Sequence, residues 1–229
     1  MHRTFKAVVF DMAGTTVLDK GNVAAAFQEA FQHFNLDIPG DEIQKVMGWR
    51  KIDAVSMLLD QFAAAAFKDN PDMAAGIHDR FTQNMVEFYT RDEQLAPLPF
   101  AEELFSILQG QHIKVALNTG FTRVITDVIL RRLNWMRSPL IDATVTSDEV
   151  PEGRPQPYMI EKIMGQFGIS DPAEVVKVGD TEVDIREGRN AGCGLVIGVT
   201  TGAYTREQLS IFSPDKIIDS LSELPALIL

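Results

Sequence analysis

Only one cysteine, Cys193, stands among the 229 residues, so no disulfide can close within the chain. That scarcity suits a reducing compartment, and the cytoplasm is the expected location. Cys193 sits in Ala191-Gly192-Cys193-Gly194, which reads as a turn ahead of a strand. With no histidine near it in sequence, it is expected to be a small buried or half-buried residue rather than a catalytic thiol. Basic blocks are also missing. The net charge of −11 is spread along the chain, leaving nothing to follow a nucleic-acid backbone. No apolar stretch approaches the roughly 20 residues a membrane span needs. The early run Ala7–Phe10 is too short for a signal sequence as well. The four histidines, His2, His33, His78 and His112, show no metal-ligand spacing and are expected at the surface. Internal repeats are absent.

What remains is the composition of a globular protein, 45% hydrophobic and 23% charged, with enough chain to build a core without staples. Short apolar runs recur at Ala7–Phe10, Lys114–Leu117, Ala143–Thr146, Val175–Val178 and Leu195–Val199. Stretches of helical period separate the later ones. Ile125, Val128, Ile129 and Leu133 share one stripe, and Met159, Ile160, Ile163 and Phe167 another. Buried parallel strands alternating with helices make an α/β, doubly wound, Rossmann-like sheet the expected fold. Residues 18–97 break the alternation. They read as helices at Val23–Phe34, Asp41–Met47, Lys51–Phe62 and from about Pro71 to Tyr89, with Asp41 able to cap the second and Pro71 suited to a first turn. The biased stretch Phe62–Phe67 is assigned to helix packing. The expected organisation is a core of residues 1–17 and 98–229 with a helical cap of residues 18–97 inserted after the first strand.

Chemistry-bearing residues fall at the ends of the expected strands, where ligands of open parallel sheets gather. Asp11 opens Asp11-Met12-Ala13-Gly14-Thr15-Thr16, a carboxylate followed by a turn of small residues. Thr119 and Gly120 offer a hydroxyl and an unobstructed N–H to a phosphate oxygen. Arg154, held in Gly153-Arg154-Pro155, offers a guanidinium to the same anion. Asp180 and Asp184 follow another strand and, beside Asp11, would form a hard-oxygen site suited to Mg²⁺. Each signal alone is weak; their order along the chain is specific.

That ordered set resembles the haloacid dehalogenase superfamily over essentially the whole chain. The resemblance implies that Asp11 is a nucleophile forming an aspartyl-phosphate, that Thr119 binds phosphate, and that Mg²⁺ is held by Asp11, the Ala13 carbonyl and Asp180, with Asp184 ligating or supporting. Two departures narrow it. The usual second aspartate is Ala13 here, and the usual lysine is Arg154. Both changes, with Thr119-Gly120-Phe121-Thr122-Arg123 and Glu187-Gly188-Arg189-Asn190-Ala191-Gly192, resemble the phosphonatase branch, the phosphonoacetaldehyde hydrolases and their relatives.

Loss of the acid at position 13 has chemical sense there. Breaking a carbon–phosphorus bond expels a carbanion, which an imine of the substrate aldehyde with a lysine can accept as an enamine. The resemblance places that lysine at Lys51, in Lys51-Ile52-Asp53. A helix start and the neighbouring Arg50 are both expected to favour its free amine. The other reading of Lys51 is a substrate-binding or solvent-facing residue of the cap. Trp49 beside it is either a substrate contact or a packing residue. Ala54, Phe121 and Asn22 stand where phosphonatases commonly carry histidine, tyrosine and cysteine. Three functions stay open: a phosphonatase-like hydrolase acting on a small phosphonate, a phosphomonoesterase of a small phosphorylated metabolite, and a non-catalytic binding protein on this fold. A cap-mediated homodimer is expected from the resemblance alone.

Overall fold

The computed structural model describes residues 4–63 and 71–229. The expectation for Ala64–Phe67 therefore lies outside the described residues, as does His2. The sheet consists of β1 (Ala7–Phe10), β2 (Lys114–Thr119), β3 (Ala143–Thr146), β4 (Val175–Gly179), β5 (Leu195–Val199) and β6 (Lys216–Ile218). All neighbours pair in parallel, in the order β3-β2-β1-β4-β5-β6. β1 is central and wholly buried, which is why its sequence is a continuous apolar run rather than an alternating one. Val8 and Phe10 face one layer and Ala7 and Val9 the other.

On the first face lie α5 (Ala101–Gly110) and α6 (Arg123–Arg132), through residues such as Leu104, Phe105, Ile125 and Ile129. On the second lie α7 (Tyr158–Phe167) and α8 (Glu182–Asn190), through Met159, Ile160, Ile163 and Ile185. Leu209 of α9 (Arg206–Ile211) joins that second face, and Ile228 of the short α10 (Pro225–Ile228) joins the first. β6 was not expected from the sequence. It is three residues long at the sheet edge, with Lys216 exposed and Ile217 half-buried, too little apolar pattern to register.

Four helices intervene between β1 and α5: α1 (Asn22–His33), α2 (Gly40–Lys45), α3 (Lys51–Phe62) and α4 (Pro71–Arg91). α1 and α3 pack on α4, where Phe27 and Phe81 meet with ring centroids 4.4 Å apart, and α4 in turn packs on α6. The expected boundaries hold to within two residues, and Lys51–Phe62 is recovered as written. Asp41 is a correction: α2 starts at Gly40 after Pro39, so Asp41 lies in the first turn and caps nothing. His78 is another, being half-buried on α4, where burial lowers its pKa. His33 and His112 are exposed. Cys193 is buried, and burial pushes its thiol up to about 12, the behaviour of a packing residue rather than a nucleophile. Among the described residues no helix is long and apolar enough to cross a membrane.

Candidate active site

The chain leaves β1 for β2 and β3 on one side, then returns to β4 on the other. The sheet thus has its switch point between β1 and β4, and the crevice beyond their carboxyl ends is where open α/β sheets bind ligands. Asp11 follows β1 there, its N–H donating to Val178 O at 2.9 Å and so continuing the ladder. Asp180 follows β4, and Thr119 ends β2. The turn after Asp11 is pinned by the Thr16 hydroxyl, which donates to Asp11 O at 2.9 Å.

Beneath Asp11 lies a fully buried charge network. Arg154, 1% exposed, uses all three guanidinium nitrogens on protein groups. Nη1 reaches Asp11 Oδ1 at 2.6 Å and Asp184 Oδ1 at 3.0 Å, Nε reaches Glu187 Oε2 at 3.0 Å, and Nη2 donates to Asn118 O and Oδ1 at 2.8 and 2.6 Å. Lys177, inside β4, contacts Asn118 Oδ1, Asp184 Oδ1 and Glu187 Oε2 at 2.7, 2.9 and 3.1 Å. The Asn118 amide in turn donates to both oxygens of Glu187 at 2.9 Å.

Charge is not balanced in this network. Four buried carboxylates, those of Asp11, Asp180, Asp184 and Glu187, face two buried cations, Arg154 and Lys177. Before Lys51 is counted, two positive charges are missing. The imbalance is local. Burial works to raise the pKa of Asp184, but Arg154, Lys177 and the Thr181 hydroxyl outweigh it and hold the carboxyl below its ordinary value. Burial and the Asp11 and Asp184 charges instead push Asp180 well up, and burial raises Asp11 despite Arg154. One carboxylate oxygen from each of Asp11, Asp180 and Asp184 lies within 4.8 Å of the others. This triad can hold a divalent metal, and a doubly charged cation supplies the missing charge.

Above the acids lies a narrow pocket of about 30 Å³, whose lining includes Asp11, Ala13, Asp19, Val23, Met47, Lys51, Thr119, Gly120, Phe121 and Asp180. The Thr119 hydroxyl accepts from Phe121 N–H at 3.2 Å, which leaves its own proton free to donate. Lys51, 4% exposed, opens α3 with Nζ 5.6 Å from the Phe27 ring centroid and 5.4 Å from that of Phe121. Burial, helped by Arg154 and opposed by Asp11, Asp19 and Asp180, lowers its pKa to about 8. The pKa is lowered as expected, but chiefly through burial; the cationic contributor is Arg154. Arg50 points elsewhere, donating to Pro151 O at 3.0 Å.

The segment between α2 and α3 closes over the pocket with no clearance. A Cβ on Gly48, whose φ is +82°, would stand 2.3 Å from Thr181 Oγ1, and one on Gly120 would stand 2.4 Å from Trp49 O. Glycine is therefore required on both sides of this contact. Gln44 adds a hydrogen bond from α2 to Ala203 O at 2.6 Å.

The sequence model of one protein family, described as haloacid dehalogenase-like hydrolase, matches residues 5–192. The chain belongs to the haloacid dehalogenase-like hydrolases. Among curated relatives of this hydrolase, a phosphonoacetaldehyde hydrolase of Bacillus cereus is 32% identical over 216 residues, covering 89% of this chain and 80% of the relative. Among solved structures, a phosphonoacetaldehyde hydrolase-like protein from Oleispira antarctica superposes with a TM-score of 0.85 at 25% identity, covering 99% of this chain and 92% of the other. A hydrolase from Pseudomonas syringae has the same fold, with a TM-score of 0.84 at 20% identity over 97% of each chain.

In this haloacid dehalogenase-like hydrolase the structure brings Asp11, Ala13, Lys51, Thr119, Gly120 and Asp180 to one pocket, with Asp184 directly beneath. Arg154 lies behind Asp11 rather than on the pocket wall. Trp49 presents its carbonyl to Gly120, while its side chain packs half-buried against the core. Sequence reasoning missed Lys177, Glu187, Asn118 and Asp19. A lysine inside an otherwise apolar strand was the available signal for the first, because such a charge needs a buried anion.

Proposed function

We propose that this hydrolase is a Mg²⁺-dependent phosphonatase-like enzyme that cleaves a small phosphonate aldehyde through an imine at Lys51 and a phosphoryl group on Asp11. In this reading residues 18–97 are the cap and residues 1–17 and 98–229 the catalytic core. The observation that carries it is Lys51: a buried amine with a lowered pKa shares a pocket with the nucleophilic carboxylate. The similarity to phosphonoacetaldehyde hydrolases supports the substrate class.

Asp11, Asp180 and the Ala13 carbonyl would hold Mg²⁺, with Asp184 beneath. When bound, the ion supplies positive charge to the phosphoryl oxygens and screens the acids from one another. Asp11 Oδ attacks phosphorus, and the bond to carbon breaks. Its electron pair becomes the C=C bond of an enamine as the C=N π pair moves onto the iminium nitrogen of Lys51 and neutralises it. A proton taken up at the enamine carbon restores the iminium, and water then releases the aldehyde from Lys51 and phosphate from Asp11. Arg154 serves by orienting Asp11, to which it is bonded at 2.6 Å, and Thr119 donates its hydroxyl to a phosphoryl oxygen.

The deciding measurement is phosphate release from phosphonoacetaldehyde with Mg²⁺, beside a panel of small phosphate esters. The proposal expects release from the phosphonate, its loss in Lys51→Met, and a mass gain at Lys51 after borohydride reduction. Ester hydrolysis that survives Lys51→Met, with no phosphonate cleavage, would make the protein a phosphomonoesterase and Lys51 a binding residue. The metal is checked separately by thermal unfolding. At about 100 times its dissociation constant Mg²⁺ should stabilise the wild type by about 2.7 kcal/mol. Asp180→Asn should lose most of that shift; an equal shift in the variant would place the ion elsewhere.

A further inference from the structure

We propose that Asp19 is the proton-transfer group that makes and unmakes the imine at Lys51, an inference that rests on the reading just given. Forming an imine from an ammonium and an aldehyde requires protons to leave nitrogen and reach oxygen, and a pocket of about 30 Å³ has no room for bulk water to carry them. Of the side chains lining this pocket, Val23, Met47 and Phe121 exchange no protons, which leaves Lys51, the Thr119 and Thr181 hydroxyls, the second already committed to Asp184, and the carboxylates of Asp11, Asp19 and Asp180. The residue after Lys51-Ile52-Asp53 is Ala54 and the residue two after the nucleophile is Ala13, so neither place supplies an acid.

The other two pocket carboxylates are occupied. Asp11 is bonded to Arg154 and is the nucleophile toward phosphorus. Asp180 accepts from the Thr15 hydroxyl at 3.0 Å and from Ala203 N at 2.6 Å. Asp19 differs. Its hydrogen bonds, from Gly21 N–H at 3.1 Å and Asn22 N–H at 2.8 Å, both end on Oδ1. They fix the carboxylate at the start of α1 and leave Oδ2 for exchange. Its charge is felt at Lys51, whose ammonium it favours. Asp19 and Lys51 line the same pocket, so an aldehyde carbon bound at Nζ lies in the space that Asp19 borders.

The steps balance. With no direct ion pair between them, Asp19 takes a proton from the Lys51 ammonium through one bridging water, and the amine adds to the carbonyl carbon, sending the π pair to oxygen. Asp19 returns the proton to that oxygen, then takes a second from the new C–N nitrogen. Delivered to the hydroxyl, this proton lets water leave as the nitrogen lone pair closes the C=N bond. Asp19 ends as it began, and ammonium plus aldehyde has become iminium plus water.

Acetaldehyde is the probe, because it lacks phosphorus and needs no attack by Asp11. The full-length protein with Mg²⁺ is mixed with it, quenched with borohydride at timed intervals, and the adduct at Lys51 is followed by mass. Asp19→Asn keeps an acceptor for Gly21 and Asn22 N–H, since asparagine serves there about as well as aspartate. It should slow adduct formation about 10²-fold. A carboxylate that acted only as a charge would give the opposite sign: its removal would free more amine and speed trapping. Trapping by Asp19→Asn as fast as wild type or faster therefore overturns the proposal. If that variant misfolds, Asp19→Ser, which also offers an acceptor, carries the same test. A wild type that never traps acetaldehyde sinks the Lys51 imine itself, an outcome distinct from a wild type that traps and a variant that traps equally.

Discussion

Replacing Arg154 with methionine is expected to destabilise the protein by about 3–5 kcal/mol, the usual consequence of stripping one partner from a buried ion network. Arg154 bonds three acids and the Asn118 side chain at once, with none of its guanidinium exposed. Without it Lys177, which contacts only Asp184 and Glu187 of the acids, is the one cation left in the network, and Asp11 loses its bonded guanidinium. Turnover should fall by at least ~10³-fold, because a nucleophile released from its holder samples unproductive geometries. Arg154→Lys separates charge from shape. A single ammonium can neutralise the acids but cannot reach Asp11, Glu187 and Asn118 together. It should recover more stability than activity. Urea unfolding midpoints and kcat for the three proteins are the measurements, and an Arg154→Met protein within about 0.5 kcal/mol of wild type would contradict the network's importance.

Asp11→Asn is the second large effect, and its two parts have opposite directions. Turnover should be lost by ~10⁴-fold or more, as for other enzymes deprived of their nucleophile. Stability without metal should hold or rise. Burial raises the pKa of Asp11 above its unfolded value, so the folded state binds its proton more tightly. For such an acid the native state is favoured most at low pH, where both states are protonated, and loses ground as pH rises from the unfolded value through the raised folded one. Asparagine carries no charge and escapes that loss, yet still offers an oxygen to Arg154. In chelator at pH 7 the variant should melt at or above wild type, with the gap closing as pH falls toward 3.8. A variant that melts well below wild type at pH 7 would show that the Asp11–Arg154 ion pair outweighs the burial of its charge.

How much could be read beforehand differs by kind of residue. Asp11, Thr119 and Asp180 sit where strands end, and strand ends are visible as the places where apolar runs stop. Lys51 was legible only through the Lys-Ile-Asp context; its burial against Phe27 and Phe121 depends on α1 and the turn after β2, which sequence cannot bring together. Lys177 hid inside an apolar run, and Glu187 inside a helix that reads as an ordinary charged face. Asp19 lay in a segment that reads only as a linker, and what distinguishes it is the pocket it lines. Arg154 was legible as a cation near phosphate, but which side of Asp11 it occupies is a matter of three-dimensional packing.

The contact that Gly48 and Gly120 permit bears on the tempo of the reaction. A pocket of about 30 Å³ admits one or two waters and cannot pass a phosphate ion. On the proposed function, each catalytic cycle would part the α2–α3 segment from Thr181 and Gly120 at least twice, once to load and once to discharge. Movements of that kind drag solvent with them. Friction from the medium then enters kcat, and a buffer thickened twofold with sucrose should slow steady turnover toward half while leaving a single pre-loaded bond cleavage untouched.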